Sequence, residues 1–358
     1  MANENNRAVN EFNQQVKPVS LWADAWKRLQ KNRMALAGLW ITVLFAIVGI
    51  AAPVLPIADY QKVETDFINL PPSLKPAGEV ALSEASLNID RIQSRIVEGR
   101  NDLLPALEQA KASYDKLKSD LSVKSTANNV YIFGTDYLGR DMLSRTIYGG
   151  RISMLIGLIG TITAVLIGVI YGAVSGYLGG RIDNLMMRIV DIMYGLPYML
   201  IVIILMAMFM KEGSSSIFIL FIAIALVSWL TQARVVRGQI MSLKNSEFVE
   251  AARSMGASTA RIIFRHLLPN TLGVIIIFAT LSIPSFIMNE SFLSFLGLGV
   301  SAPLASWGSL VKEGADRMES FPWQLLVPAT AMTVFLFAMN FLGDGLRDAL
   351  DPQSKNRA

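Results

Sequence analysis

"GTITAVLIGVIYGAVSGYLGG", Gly160 to Gly180, carries no charge and places a small residue at every fourth position: Gly160, Ala164, Gly168, Gly172, Gly176 and Gly180. With the apolar residues before it, the run is long enough to cross a bilayer core as a helix, which takes about 20 residues. Its overlapping G-x-x-x-G units remove side chains from one stripe, so a second helix can approach to backbone contact. A spacing of four drifts against the helical period of about 3.6, and the groove therefore winds around the helix. The sequence alone leaves open whether the helix that fills it belongs to this chain or to a partner subunit.

The rest of the chain agrees with a membrane setting. Of 358 residues, 53% are hydrophobic, and the mean hydropathy is +0.44. Few soluble domains need so much apolar surface. Apolar runs predict six transmembrane helices, near Leu36–Leu55, Ile152–Gly176, Ile192–Met210, Ile217–Thr231, Thr271–Phe292 and Leu325–Gly343. The expected fold is all-α and polytopic. Lys27, Arg28, Lys31 and Arg33 precede the first span; Arg181 and Arg188 follow the second; Arg234, Arg237, Lys244, Arg253, Arg261 and Arg265 follow the fourth; Arg347, Lys355 and Arg357 follow the last. The other short loops carry only Lys211, or Lys312 and Arg317. Basic loops stay in the cytoplasm, which puts both termini inside. A charged leader of about 35 residues is too long for a signal peptide, so the first span is expected to remain uncleaved.

Composition also excludes several functions. The chain has no cysteine and one histidine, which removes thiolate chemistry, disulfides and a histidine-rich metal site. It has no G-x-x-x-x-G-K-[ST] loop, so it lacks a phosphate-binding loop for ATP hydrolysis. "GLGVSA", Gly297–Ala302, fits a dinucleotide pattern, but it follows a membrane span instead of a β-strand. No catalytic constellation stands out, no cofactor is expected on this chain, and catalysis is not expected of it.

Outside the spans the pattern changes. Residues 1–18 are rich in Asn and Gln, as in disordered tails. "SLWADAWKRLQKNRMALAG" sets Leu21, Trp22, Ala25 and Leu29 on one face, a pattern fit for an amphipathic helix at the cytoplasmic interface. Pro56, Pro71, Pro72 and Pro76 mark residues 56–82 as an extended linker. Ala85, Ile89, Ile92 and Ile96, then Leu103, Leu107, Ala110, Tyr114, Leu117 and Leu121, alternate at spacings of three and four. Two such stripes around "EGRND" predict an antiparallel helical hairpin outside the membrane. It would serve as a spacer or as a docking arm for an external partner. The expected organisation is a cytoplasmic tail and interfacial helix (1–35), a first span (36–55), the linker and hairpin (56–132), a five-span core (133–352) and a short cytoplasmic tail (353–358).

One polar segment interrupts the core. "EFVEAARSMGASTARIIFRHLLPN", Glu247–Asn270, reads as two short helices, Glu247–Met255 and Ala257–Leu268, separated by Gly256. Phe248, Ala252 and Met255 fall on one face of the first, and Ala251 and Ala252 leave a smooth surface. Arg261 and Arg265 share a face of the second; Pro269 is expected to end it and to open the next span. Such a helix pair suits a groove on a soluble partner. A passive basic loop and a nucleic-acid-binding helix pair are the competing possibilities; the few basic residues beside a membrane speak against nucleic acid.

"EAARSMGASTARIIFRHLLP" resembles the EAA loop of binding-protein-dependent ABC importer permeases, with Glu250, Ala251, Ala252, Gly256, Leu268 and Pro269 at the family spacing and His266 as in its peptide-importer branch. "FGTDYLGRDMLSRTIYGGRIS" (Phe133–Ser153), "NESFLSFLGLGVSAPLASWG" (Asn289–Gly308) and "GDGLRDALDP" (Gly343–Pro352) look like the C-type subunit of the dipeptide/oligopeptide permeases. The resemblance covers nearly all of residues 20–352 but not the hairpin, which is longer than usual for the family. It implies a type I importer permease in a bacterial inner membrane. The implied partners are a second, B-type permease, two ATP-binding subunits that hold ATP and Mg, and an external binding protein that delivers peptide. Membrane lipids surround the chain, and nucleic acid is not a partner. Nickel complexes are an alternative substrate, and a secondary transporter or channel is an alternative class.

On that basis Phe248, Ala251, Ala252 and Met255 are expected to meet the ATPase, Gly256 to set the helix angle, and Glu250 to cap or pair locally. Arg261 and Arg265 would face acidic ATPase residues or lipid phosphates. His266 would be a hydrogen-bonding residue at a helix end or a pH sensor. Pro284, Asn289 and Glu290 are candidates for the translocation path or gate, with a loop-stabilising carboxylate as the alternative for Glu290.

Overall fold

The structure, a computed structural model, describes residues 21–209, 216–300 and 302–350. The Asn/Gln-rich tail, Met210 at the expected end of span three, Lys211, Ser301 and the C-terminal residues 351–358 lie outside them. The described part is helical: α1 (Leu21–Lys31), α2 (Arg33–Ala51), α3 (Ala77–Val97), α4 (Leu104–Val123), α5 (Met142–Leu178), α6 (Gly180–Tyr194), α7 (Tyr198–Phe209), α8 (Ser216–Leu243), α9 (Glu247–Ser254), α10 (Thr259–Phe295), α11 (Trp307–Ala315) and α12 (Trp323–Leu350).

Among the described residues five helices are long and apolar enough to cross a membrane: α2 with its 3-10 extension to Val54, α5, α8, α10 and α12. The predicted third span, Ile192–Met210, is the exception. The described part of helix α7 has 12 residues, which at about 1.5 Å per residue does not by itself span a bilayer core. It forms a broken pair with α6, bent by 78° at Gly195–Pro197. Pro197 is the reason: it has no N–H to continue the ladder, and it disfavours helical backbone at Leu196.

The winding groove on α5 is real, and it is filled from within the chain. A Cβ at Gly150 would lie 2.6 Å from the Trp307 ring, and one at Gly160 3.0 Å from the Phe286 ring. Further along, a Cβ at Gly168 would lie 2.6 Å from Gln232 Cβ, one at Gly172 would collide with the Ala233 carbonyl oxygen, and one at Gly176 would lie 2.8 Å from the Arg237 carbonyl oxygen. From Gly160 onward the stripe thus passes from α10 to α8, while Gly150, outside the four-residue repeat, meets α11. Ala164 is buried in the core formed by α5, α7, α8 and α10. Gly180 does not join the groove; nothing lies near its Cβ position, and its φ of +56° serves the turn into α6.

Hydropathy sets the start of α5 too late. Asp141 caps it by accepting from the Leu143 and Ser144 amides, and the 37-residue helix is about 55 Å long against a bilayer core of about 30 Å. The excess carries an ion network: Arg145 binds Asp136 at 2.5 Å and Glu313 at 2.7 Å, and Arg140 binds Asp136 at 2.7 Å. This network ties the loop before α5 to α11. Burial pushes the Asp141 carboxyl above the usual carboxylate range, against the hydrogen bonds from Ser144 and Leu143.

The hairpin forms as its two stripes predict. α3 and α4 are antiparallel around a turn at Gly99, whose φ is +102°, and every residue of both stripes is buried or half-buried. Its base rests on Phe67, Leu70, Ala77, Ala81, Leu121 and Tyr131. The linker is therefore more structured than its prolines suggest, with a 3-10 turn at Thr65–Phe67 and α3 beginning directly after Pro76. The amphipathic helix α1 turns Ala25 and Leu29 onto Ala35 and Ala349, so the chain itself covers this part of its apolar face, while the Leu21 and Trp22 side chains lie outside those described.

Candidate functional site

The Glu247–Asn270 segment folds as a helix, a glycine turn and a second helix. Helix α9 closes with a Schellman motif: the Gly256 amide donates to Arg253 O and the Ala257 amide to Ala252 O, each at 3.0 Å. Met255 is the C-cap, one residue beyond the helix. Gly256 has a φ of +77° and no neighbour near its Cβ position. The turn therefore needs glycine for its backbone angle and leaves room for bulk. Ser258 then caps the second helix.

That second helix does not end at Pro269. It widens into a π turn over Ile262–Leu267 and continues as α10. The Leu268 amide bonds Ile263 O, five residues back. A widened turn accommodates a proline because one amide is already out of the ordinary register. The Asn270 side chain takes the His266 carbonyl at 2.6 Å. His266 thus lies inside a continuous helix, half-buried, and not at a helix end.

The predicted common face of α9 is split. Val249 and Ala252 point inward, packed with Ala173, Val236, Ile240, Ile262, Ile263, Leu267 and Ile275. With Ala252 2% exposed, its surface serves the chain's own core. Phe248 (40% exposed), Ala251 and Met255 (80% exposed) remain outside as a small apolar patch. Glu247, Glu250, Arg253, Arg261 and Arg265 surround it, all exposed. Glu250 sits in the first turn of α9, where a carboxylate suits the helix dipole, and it forms no ion pair among the described residues. Phe264, 58% exposed on the second helix, was not singled out in the sequence, although its flanking by Arg261 and Arg265 sets it apart from the buried Ile262 and Ile263.

Bracing beneath the patch was also hidden. Arg237 on α8 grips Asp183 on α6 with bonds of 2.5 and 2.6 Å, and Ser175 on α5 donates to the same carboxylate at 2.5 Å. Lys244 donates to Gly176 O at 3.3 Å. Arginines that looked like topology signals are thus also structural ties.

The three path candidates part ways. Glu290 is fully buried and accepts from Ser294 and Ser306 at 2.6 Å and from Ser153 at 3.4 Å. Ser306 also caps α11, and Ser153 accepts from the Trp307 amide at 3.1 Å. Glu290 therefore joins α5, α10 and the start of α11. Pro284 is buried within an unbroken α10. Asn289 lines a cavity of about 400 Å³ between the α6–α7 break, α8 and α10.

Comparison with known proteins matches this architecture. Residues 140–356 match the family described as binding-protein-dependent transport system inner membrane component, and residues 20–72 match the N-terminal TM domain of oligopeptide transport permease C. The oligopeptide transport system permease protein OppC of Haemophilus influenzae is 50% identical over 235 residues, 66% of this chain and 74% of that one. The dipeptide transport system permease protein DppC of Bacillus subtilis is 40% identical over 336 residues, 94% of this chain and 87% of that one. OppC of Escherichia coli is 39% identical over 357 residues, 99% of each chain. The chain belongs to the family of binding-protein-dependent transport system inner membrane components, as a non-catalytic, multi-pass permease component.

Proposed function

We infer that the chain is the permease subunit of an ATP-driven importer of oligopeptides or dipeptides in a bacterial inner membrane. The observation that carries this is full-length similarity to oligopeptide and dipeptide permeases, joined to a helix pair with an exposed apolar patch. Two ATP-binding subunits hold ATP and Mg, a second permease of related sequence completes the pore, and an external binding protein delivers the peptide. Both termini and the Glu247–Asn270 loop face the cytoplasm, while the α3–α4 hairpin stands on the opposite side.

Phe248, Ala251 and Met255 form the contact that enters a groove on one ATPase. Arg261 and Arg265, on the second helix, border the contact and face acidic groups of the ATPase. Movement of the ATPases passes to α10 through the continuous helix that begins at Thr259, and to α5 and α8 through the core around Val249 and Ala252. ATP acts only if it binds one state of the assembly more tightly than the other.

Co-purification tests the contact. Phe248→Asp and Met255→Lys place charge in the patch without touching the inward face. Each variant is expected to reach the membrane at normal level and to retain less than about a tenth of the ATPase subunits, the effect of losing an interface anchor of about 1.4 kcal/mol or more. Full retention by both would rule this surface out.

A further inference from the structure

Polar side chains inside a membrane protein are expected to find partners within the protein or in a water-filled cavity. At the cavity between the α6–α7 break, α8 and α10, three do not. Gln232 is 4% exposed, and its Nε2 has no hydrogen-bond partner. Ser228 Oγ, one turn earlier on α8, has none either. The Tyr198 hydroxyl lies near Asn289 without a well-directed bond. All three residues line the same space of about 400 Å³, which is far larger than a single water needs. Gln232 sits midway along the membrane-crossing part of α8.

Two further features distinguish this space from a packing defect. Its wall includes Tyr194 and Leu196 at the break between α6 and α7; irregular backbone at membrane depth is tolerated where it lines a cavity. Its lining also carries no Asp, Glu, Lys or Arg. Ser282 and Ser285 turn their hydroxyls back to Phe278 O and Leu281 O at 2.7 and 3.4 Å, so the buried polar atoms of this lining left without a bond belong to Gln232, Ser228 and Tyr198. These offer one amide donor and two hydroxyls that can donate or accept. That set matches the alternating C=O and N–H of a peptide main chain, and the lining holds no opposite charge to pair with a charged side chain.

We propose that this cavity holds the main chain of a peptide in transit, with Gln232 Nε2 donating to a peptide carbonyl and the Ser228 and Tyr198 hydroxyls serving neighbouring amides. The inference rests on peptide import as the function. It assigns selection by backbone, with side chains left to the apolar remainder of the wall.

Uptake into proteoliposomes by the complete transporter tests it, with wild type, Tyr198→Phe, Gln232→Leu and Gln232→Asn compared side by side. The substrates are three labelled tripeptides with an acidic, a basic or an apolar central residue, and the N-methylated form of each. Tyr198→Phe and Gln232→Leu are expected to slow uptake about tenfold for all three, as for a lost hydrogen bond of about 1.4 kcal/mol, with assembly and ATP hydrolysis retained. Gln232→Asn, which keeps the amide, should lose less than Gln232→Leu, and the penalty for N-methylation should shrink in Tyr198→Phe, which loses a hydroxyl that serves a peptide amide. If Gln232→Leu fails to assemble, Tyr198→Phe, which removes a single hydroxyl, and Gln232→Asn decide. Uptake equal to an active wild type, or a loss confined to one class of side chain, would overturn the assignment alone. A wild-type complex that moves no peptide would overturn peptide import itself.

Discussion

Gly256 shows how a single residue's geometry sharpens an expectation. The turn needs a positive φ, and the space beside it is open, so size is not what a substitution offends. Gly256→Asn, which tolerates left-handed backbone, should keep most coupled activity. Gly256→Val should cost the turn about 1–2 kcal/mol and disturb coupling. Equal behaviour of the two, measured as peptide moved per ATP hydrolysed, would mean that the angle is irrelevant. Glu290 makes the converse point. A buried carboxylate in a membrane helix looks functional from sequence, yet three serines satisfy it. Glu290→Gln should lower stability by about 1–3 kcal/mol, because a carboxamide accepts fewer of those bonds. Thermal unfolding in detergent should show that loss, while transport per folded complex stays normal; a folded but inactive Glu290→Gln complex would return the residue to the transport path.

At the scale of elements, the glycine stripe was legible because a missing Cβ is a direct statement about how close another helix comes. The hairpin was legible because two stripes of spacing three and four must face each other. Helix limits were less so. Arg145 and Arg151 lowered the hydropathy where α5 continues beyond the apolar layer, and Glu313, one of the two carboxylates that hold Arg145, is distant in sequence. The broken third span was hidden because hydropathy does not register a bend; the Gly195-Leu196-Pro197 triplet was the available signal. On the loop, helical spacing grouped Phe248, Ala252 and Met255 correctly by angle but could not say which edge the core around Ile240 and Ile262 would take. Nothing in the sequence marked Tyr198, Ser228 and Gln232 as unpartnered, since that depends on what three separate helices fail to supply. The hairpin carries its own prediction. Replacing residues 85–117 by a short Gly/Ser bridge leaves Phe67, Ala77, Ala81, Leu121 and Tyr131 in place, so assembly should survive. A docking arm predicts that affinity for the binding protein falls at least tenfold; unchanged affinity would make the hairpin a spacer.

In the proposed function the whole molecule is a lever joined to part of a path. The patch of Phe248, Ala251 and Met255 faces outward, the core around Val249 and Ala252 ties it to α5 and α8, and α10 runs without a break from the loop to the cavity wall at Asn289. In the proposed assembly the ATP-binding subunits supply the free energy and this chain transmits it. Peptide uptake and ATP hydrolysis measured together, in proteoliposomes holding the complete transporter and its binding protein, test this most directly. Uptake should require ATP and binding protein, and Gly256→Val should hydrolyse ATP while moving less than about a tenth as much peptide per ATP. Uptake at full rate without ATP, or driven by an ion gradient alone, would contradict it.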